Sequence, residues 1–289
     1  MYMILFLMIT LMIIYIIYLV YMNCGQKGVQ GVNKQDPNAF TRSIFQTWKS
    51  TTVIPKNMAY WQSTWKLHNP EYMYTLWDDD MNRRFIKTHY SWFLDQYDEY
   101  DRNIKRADVI RYFYLYTYGG IYADMDFECL KPFESLLTQC EDEYDVLLGK
   151  MNTTEAFAVH SIPNAIMISK PKADFWLCVI YMLIHSASSY TPEEATGPIV
   201  LQRALELYSS GDTRWYDYMK RIMGLERETC YPDANRVKVF QPDVFYPLSW
   251  DVDREIYKTY KDDDLEKMTQ LVKRDFPQAY AFTYWTHTW

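Results

Sequence analysis

The segment between Arg106 and Leu130 constrains the fold most, because a helical pattern in it leads into a strand pattern and then into two acidic residues. Apolar side chains recur at helical spacing from Asp108 to Tyr118, and the two glycines that follow are typical of a helix C-terminus. The apolar run Ile121-Tyr122-Ala123 predicts a short strand, and Asp124-Met125-Asp126 comes straight after it. The strand therefore delivers two carboxylates to one place.

The same alternation of strand and helix patterns extends along the chain. Short apolar runs bounded by polar residues or glycine predict strands at 42–48, 72–77, 145–149 and 165–169. Helical spacing predicts further helices at 175–185 and 198–208. Elements in this order predict an α/β layered domain.

Asp124 and Asp126 are the strongest candidates for a metal site. In an extended segment, side chains two residues apart point to the same side, so both carboxylates would face one cation while Met125 points into the core. Hard divalent cations such as Mn²⁺ and Mg²⁺ prefer carboxylate oxygens and keep positions open for phosphate oxygens. The alternative is a pair of solvated carboxylates. However, placing charged groups next to an apolar strand costs free energy, which favours a functional role for them.

Composition excludes one class of function. The chain has 30 Lys or Arg against 37 Asp or Glu, a formal charge of −7, which argues against a general nucleic-acid-binding protein. Hydrophobic residues make up 49% of the chain, enough for a large core. Aromatic residues make up 18%, which suits stacking on sugar rings or nucleobases.

Residues 1–22 carry no charged side chain and would form about 33 Å of helix, enough to span a bilayer. We therefore predict an uncleaved single-pass transmembrane anchor at 1–22, a polar stem at 23–38 and one body at 39–289. Lys27, Lys34 and Arg42 follow the anchor and nothing basic precedes it, so the positive-inside rule alone leaves the body in the cytoplasm.

Six motifs follow one another along the chain: 45–50 with Ile54-Pro55, Asn69-Pro70 with 76–79, 106–130, 164–176, Thr196-Gly197-Pro198, and Trp285 with Trp289. In this order they resemble the motifs of the glycosyltransferases that carry the DXD sugar-binding region, a group that includes the yeast-type α-1,6-mannosyltransferases and the inositol-phosphorylceramide mannosyltransferases. The resemblance implies a GT-A-type fold, which is a nucleotide-sugar-binding α/β domain with a Rossmann-like mixed sheet. It also implies a metal-dependent transferase that retains the anomeric configuration.

Carried over to this sequence, the family motif assigns metal and donor binding to Asp124 and Asp126. Asp108 and Arg111 resemble the pair that holds donor-sugar hydroxyls in a related toxin core. Their spacing of three residues puts both on one helix face. From the residues alone, an ordinary surface salt bridge is the alternative.

The resemblance also implies donor contacts at both ends of the body. Gln46, Thr47 and Trp48, at the end of the first predicted strand, are expected to contact the nucleotide. Trp48 either stacks on the base or packs in the core. Trp289, which ends the closing W-x-x-x-W motif, is expected at the donor as well.

Two positions depart from the family pattern. Phe45 stands where the family has a histidine, and we expect this to affect packing more than chemistry. Thr283 stands where the family often has a histidine six residues before the last tryptophan. His287 either replaces that histidine as a metal or phosphate contact or is an ordinary residue.

Together these features predict a membrane-anchored, Mn²⁺- or Mg²⁺-dependent glycosyltransferase that moves a hexose from GDP-mannose or a UDP-hexose to a glycan or glycolipid hydroxyl. Its expected partners are the donor, the acceptor and the membrane, with no nucleic acid. The yeast-type relatives imply a type II protein whose body faces the Golgi or ER lumen, against the charge rule. The alternative is a catalytically silent, membrane-tethered protein that binds a sugar or lipid headgroup on the same fold, and Thr283 favours it.

Overall fold

The computed structural model describes residues 38–225, 232–259 and 265–286. The predicted anchor, nearly all of the predicted stem, His287 and Trp289 lie outside these ranges. Across the three described ranges, no helix is both long enough and apolar enough to cross a membrane.

Strands and helices alternate along most of the described chain. The strands are β1 Ser43–Thr47, β2 Met73–Trp77, β3 Gly120–Ala123, β4 Phe127–Cys129, β5 Val146–Gly149, β6 Ile166–Ser169, β7 Val237–Phe240 and β8 Ala281–Thr283. The α-helices are α1 Lys56–His68, α2 Asp79–His89, α3 Leu94–Glu99, α4 Asn103–Tyr118, α5 Glu134–Cys140, α6 Asp174–Ser186, α7 Pro192–Ala195, α8 Pro198–Ser209, α9 Arg214–Met223, α10 Pro242–Phe245, α11 Arg254–Thr259 and α12 Leu265–Asp275. Short 3₁₀ segments occupy Ser91–Phe93, Glu155–His160 and Ala234–Arg236.

Six of these strands form one mixed sheet in the order β2-β1-β3-β6-β5-β7. β1 is parallel to β2 and β3, β6 is antiparallel to β3 and β5, and β7 is parallel to β5. β4 and β8 form a separate antiparallel pair. The prediction of an α/β domain with a mixed sheet is confirmed, and β1, β2, β5 and β6 fall within the four strand ranges predicted above.

Neighbouring residues of a strand point to opposite faces of the sheet. Every residue of β1 and β3 is buried, so both faces of the sheet are covered at these strands. Phe45 and Tyr122 enter a core that α4, α6, α8 and α9 cover. Ile44 and Ile121 enter a second core that α1, α5 and α10 cover. Phe45 stacks on Tyr114 with the ring centroids 3.8 Å apart, so the residue that replaces the family's histidine is a core residue.

Helix α4 begins at Asn103, five residues before its predicted start at Asp108. Its first turns are polar in sequence, yet Lys105 is only 4% exposed, and its ammonium group pairs with Asp101 at 3.0 Å and donates to the Ser189 carbonyl at 3.2 Å. The helix ends at two glycines, as predicted, with φ of 66° at Gly119 and 92° at Gly120. A Cβ on Gly120 would lie 2.2 Å from the hydroxyl of Ser43, so both backbone angle and space require glycine there.

Candidate active site

A cavity of about 700 Å³ lies beside the turn that follows β3. Its walls come from α4, from the β3–β4 turn, from the connection between β5 and β6, from α7 and the start of α8, and from Trp250, Thr283 and Trp285. Asp108, Arg111, Asp124 and Asp126 all line it. The fold therefore brings together the four charged residues that the sequence assigned to sugar and metal binding.

The Asp124-Met125-Asp126 segment is a turn, not the extended segment that we expected. β3 and β4 belong to different sheets, so the chain has to change direction between them. The Phe127 amide closes the turn by donating to the Asp124 carbonyl at 3.1 Å. Met125 is 3% exposed and packs with Trp48 and Trp61, so it points into the core as predicted.

Asp124 is buried beside a guanidinium. Its Oδ1 atom lies 3.2 Å from Nη1 of Arg111 and accepts a hydrogen bond from the Tyr122 hydroxyl. Burial raises the pKa of Asp124 to about 7, although Arg111 lowers it, and the nearby Asp126 carboxylate adds to the rise. A cation bound at this turn would favour the ionised form of Asp124.

Asp126 is held by Thr283, the last residue of β8, and by Thr286, which follows that strand. Its Oδ2 accepts from the backbone amide of Thr286 at 2.8 Å and from the Thr286 hydroxyl at 3.0 Å. Its Oδ1 accepts from the Thr283 hydroxyl at 3.3 Å. A carboxylate has about four acceptor positions. The three hydrogen bonds therefore orient Asp126 and leave it able to contact one more group.

Asp108 and Arg111 form a buried ion pair, so the alternative of a surface salt bridge is wrong. Their closest atoms are 2.9 Å apart, and the side chains are 6% and 1% exposed. Arg111 also donates to the Asn164 carbonyl at 2.8 Å and lies over the Tyr122 ring at 4.7 Å. Burial raises the pKa of Asp108 and works against the charge on Arg111, but Asp124 and the other anionic groups nearby leave the pKa of Arg111 raised.

The structure adds two residues that the sequence analysis did not assign to the site. The Asn164 side chain donates to Asp108 at 3.0 Å and to the Tyr112 hydroxyl at 2.8 Å. The Thr196 hydroxyl donates to the second carboxylate oxygen of Asp108 at 2.9 Å. Asn164 and Thr196 are the first residues of two motifs on which the family resemblance rests. That position was the sequence signal that could have assigned them to the site. Together with Arg111 they fix the orientation of Asp108.

The charge balance of the cluster suits a divalent cation. Three buried carboxylates lie near a single guanidinium, so the fully ionised cluster would carry an excess of two negative charges, and a bound cation would favour that ionised form. Within the described ranges, His, Cys, Asp and Glu side chains form no group of three or more arranged to hold a metal ion. Mg²⁺ and similar cations are commonly bound by one or two carboxylates together with substrate phosphates. Asp124 and Asp126 fit that mode.

Gln46, Thr47 and Trp48 do not line the cavity. Gln46 donates to the Asp124 carbonyl at 3.0 Å, and Thr47 donates to the Trp77 carbonyl at 3.1 Å. Trp48 is 8% exposed and packs in a small apolar cluster. Gln46 therefore supports the turn at Asp124-Met125-Asp126 through the Asp124 carbonyl, and the nucleotide contacts of all three residues stay a prediction.

The chain matches a known family and several curated proteins. Residues 55–143 match the family described as glycosyltransferase sugar-binding region containing DXD motif. Inositol phosphoceramide mannosyltransferase 2 of Schizosaccharomyces pombe is 36% identical over 193 residues, which cover 64% of this chain and 52% of that protein. Mannosyl phosphorylinositol ceramide synthase CSH1 of Saccharomyces cerevisiae is 34% identical over 184 residues, which cover 62% of this chain and 45% of that protein.

These matches confirm the resemblance drawn from the sequence, because residues 55–143 match the DXD-containing sugar-binding region and the two relatives are named as a mannosyltransferase and a mannosyl-transferring synthase. The chain spans about half the length of these two curated relatives. Among solved structures, PaToxG Glycosyltransferase gives a TM-score of 0.45 at 14% identity and covers 68% of this chain and 84% of its own. A structural match with a TM-score this low does not identify the fold.

Proposed function

We propose that this chain is a metal-dependent, retaining glycosyltransferase with a GT-A-type body. It moves a hexose from GDP-mannose or a UDP-hexose to a hydroxyl group of a glycan or glycolipid. The observation that carries the proposal is the convergence in one cavity of the Asp124 and Asp126 acid pair with the buried Asp108–Arg111 pair. Two curated relatives are named for mannose and inositol phosphoceramide, which supports mannose as the sugar and a glycolipid as the acceptor.

Each charged residue has a role that its contacts support. Asp124 and Asp126 would hold Mn²⁺ or Mg²⁺ together with the donor diphosphate, and the cation would supply positive charge to offset the charge of the leaving diphosphate. Asp108 accepts hydrogen bonds from donor-sugar hydroxyls, in an orientation set by Asn164 and Arg111. Because these groups are buried and already oriented, little reorganisation is needed when the donor binds.

The test compares sugar transfer by two variants of the full chain that each remove one carboxylate. Asp126→Asn is expected to lower transfer at least ~100-fold, because the cation loses a charged ligand. Asp95→Asn is the matched control, since Asp95 is an exposed acid on α3 away from the cavity, and its activity should equal that of the unmodified chain. Transfer by Asp126→Asn at the control rate, with metal present, would exclude the acid pair from the reaction.

We also propose that the body faces the lumen of the Golgi or ER behind a single N-terminal anchor. The side chain of Asn152, which belongs to the Asn152-Thr153-Thr154 acceptor sequence, is exposed and thus accessible to a glycosylation enzyme. Protease treatment of intact microsomes tests the orientation. Protection of the body, with a glycosidase-sensitive mass that Asn152→Gln removes, is the expected result. Digestion without detergent would place the body in the cytoplasm.

A further inference from the structure

Glu128 is a buried acid on β4 that the donor chemistry described above does not use. It is 2% exposed and does not line the cavity. The Thr269 hydroxyl on α12 lies 2.9 Å from both carboxylate oxygens, and the Tyr284 hydroxyl donates to Oε2 at 2.7 Å. None of the ion pairs among the described residues includes Glu128. A buried carboxylate without a counter-charge depends on its hydrogen-bond donors, and hydrogen bonds to a charged acceptor are strong, so Glu128 fixes the Tyr284 hydroxyl in place.

The Tyr284 side chain is restrained at both ends. Its ring stacks on Trp61 of α1, with the centroids 4.4 Å apart, and Trp61 is itself buried. Its hydroxyl contacts Glu128 and also lies 3.4 Å from the Leu265 carbonyl at the start of α12. Tyr284 therefore joins the residues after β8 to α1, β4 and α12.

Tyr284 belongs to the segment 283–286, which wraps around Asp126. The Tyr284 amide donates to the Asp126 carbonyl at 3.0 Å. On either side of it, the hydroxyl of Thr283 and the amide and hydroxyl of Thr286 donate to the Asp126 carboxylate. A displacement of Tyr284 would therefore move the donors that orient this carboxylate.

The backbone of this segment needs such a restraint. Trp285 has a φ of 49°, in the left-handed region that a bulky side chain rarely adopts. A residue in that conformation persists only when its surroundings hold it there. On one side of it, Tyr284 is held by Glu128. On the other side, Thr286 is held by Asp126.

We propose that Glu128 is a positioning residue for the metal site. Through its hydrogen bond to Tyr284 it keeps the segment 283–286 on Asp126, and so holds the Asp126 carboxylate in one orientation for the cation and the donor diphosphate. Glu128 itself touches neither of them. This inference rests on the proposed metal-dependent transfer and adds the residue that fixes the orientation of Asp126. Removing a group that orients a metal ligand commonly changes metal affinity by roughly 10–100-fold, and Glu128 acts one contact further away, so we expect a change of about tenfold.

Hydrogen exchange on the metal-free full chain tests the first link, from Glu128 to the segment. Mass spectrometry follows the backbone amides of 284–286, all three of which donate hydrogen bonds. Tyr284→Phe, which keeps the ring on Trp61 and loses only the hydroxyl, should speed their exchange at least about fivefold. Glu128→Leu should have the same effect, and Glu128→Gln, which keeps an acceptor oxygen, should stay within about twofold of the unmodified chain.

Tyr72→Phe is the matched control. The Tyr72 hydroxyl also donates to a carboxylate, that of Glu134 at 2.8 Å, but this pair is exposed and neither residue lines the cavity. Its loss should leave exchange at 284–286 within about twofold of the unmodified chain. Thermal unfolding shows that the effect of Tyr284→Phe is local, because its Tm should lie within about 4 °C of that of Tyr72→Phe.

Binding of Mn²⁺ tests the second link, from the segment to Asp126. Electron paramagnetic resonance measures the Mn²⁺ concentration at half-saturation of the full chain, with GDP or UDP present. Tyr284→Phe should raise that concentration about tenfold, whereas Glu128→Gln and Tyr72→Phe should leave it within about twofold. A hydrogen bond that only stabilised the fold would lower Tm without this change in Mn²⁺ affinity.

The two measurements separate failure of this inference from failure of the proposed function. Exchange at 284–286 that is no faster in Tyr284→Phe than in Tyr72→Phe would overturn the inference, and so would faster exchange at unchanged Mn²⁺ affinity. Both results leave the proposed transferase in place. No binding of Mn²⁺ to the unmodified chain, with GDP or with UDP, would remove the metal-dependent proposal and this inference together.

Discussion

Arg111 is the single cation among the charged residues that the structure places at the acid cluster, and its removal gives the sharpest prediction for stability. The guanidinium is 1% exposed, lies 2.9 Å from Asp108 and 3.2 Å from Asp124, and donates to the Asn164 carbonyl. Arg111→Met keeps the apolar length of the side chain but leaves the buried carboxylates without a counter-charge. Breaking a buried pair in this way costs about 3–5 kcal/mol. For a body of this size, that lowers Tm by roughly 6–20 °C.

Denaturant titration of the metal-free chain measures the loss in free energy of unfolding, and Arg83→Met is the control. Arg83 pairs with Asp98 at 2.6 Å, but both side chains are more than one third exposed, so its loss should cost less than about 1 kcal/mol. Adding Asp124→Asn to Arg111→Met should recover at least about 1 kcal/mol, because one unpaired charge is removed. A loss no larger than that of Arg83→Met, or strictly additive effects in the double variant, would refute the account of the cluster.

Three other substitutions test separate parts of the account. Asp108→Asn should reduce discrimination between epimeric sugar donors by roughly tenfold or more while nucleoside-diphosphate affinity changes less than about twofold, and an equal loss of both affinities would contradict a sugar contact. Burial would raise the pKa of Asp145, but the ion pairs with Arg236 at 2.7 Å and Lys170 at 3.1 Å outweigh burial and lower that pKa. Asp145→Asn should therefore lower the free energy of unfolding by roughly 1–2 kcal/mol at neutral pH. That cost should be present above the ordinary aspartate pKa of 3.8 and vanish as the pH falls through the lowered folded-state pKa, and a pH-independent cost in urea titrations would show that the ion pairs contribute nothing. Gly120→Ala should destabilise the fold by about 2–5 kcal/mol, since its Cβ would lie 2.2 Å from the Ser43 hydroxyl at a positive φ, and an unchanged Tm would show that the turn relaxes freely.

The parts of the fold that sequence reasoning predicted are those with local causes. β5 and β6 are short apolar runs that end at Gly149 and Ser169, and α4 ends at glycines whose positive φ angles other residues rarely adopt. Three-residue strands such as β4 and β8 have no such signal, because their pairing depends on residues more than 150 positions apart. The start of α4 was missed because its first turn is polar in sequence, and the buried Lys105 donates to the Ser189 carbonyl, a contact 84 positions away in the chain that no local pattern predicts.

The candidate site likewise has parts that the sequence predicted and parts that it did not. The acid pair was predictable from its position after an apolar strand, but the turn that presents it was not, since that turn exists because β3 and β4 enter different sheets. The contacts that Asn164 and Thr196 make to Asp108 join residues 56 and 88 positions apart in the chain. Such contacts follow from tertiary packing. In sequence, only the motif resemblance pointed to these two residues.

The most direct measurement of the central claim is release of nucleotide from a panel of nucleotide sugars by the full chain, with Mn²⁺ and then with a chelator. GDP-mannose, UDP-galactose and UDP-glucose form the panel. The account predicts that at least one of them is turned over, that the chelator abolishes the release, and that Mn²⁺ restores it, because the acid pair needs a cation to hold the diphosphate. Release that continues unchanged in the chelator, or no release from any donor, would contradict a metal-dependent transferase at this cavity.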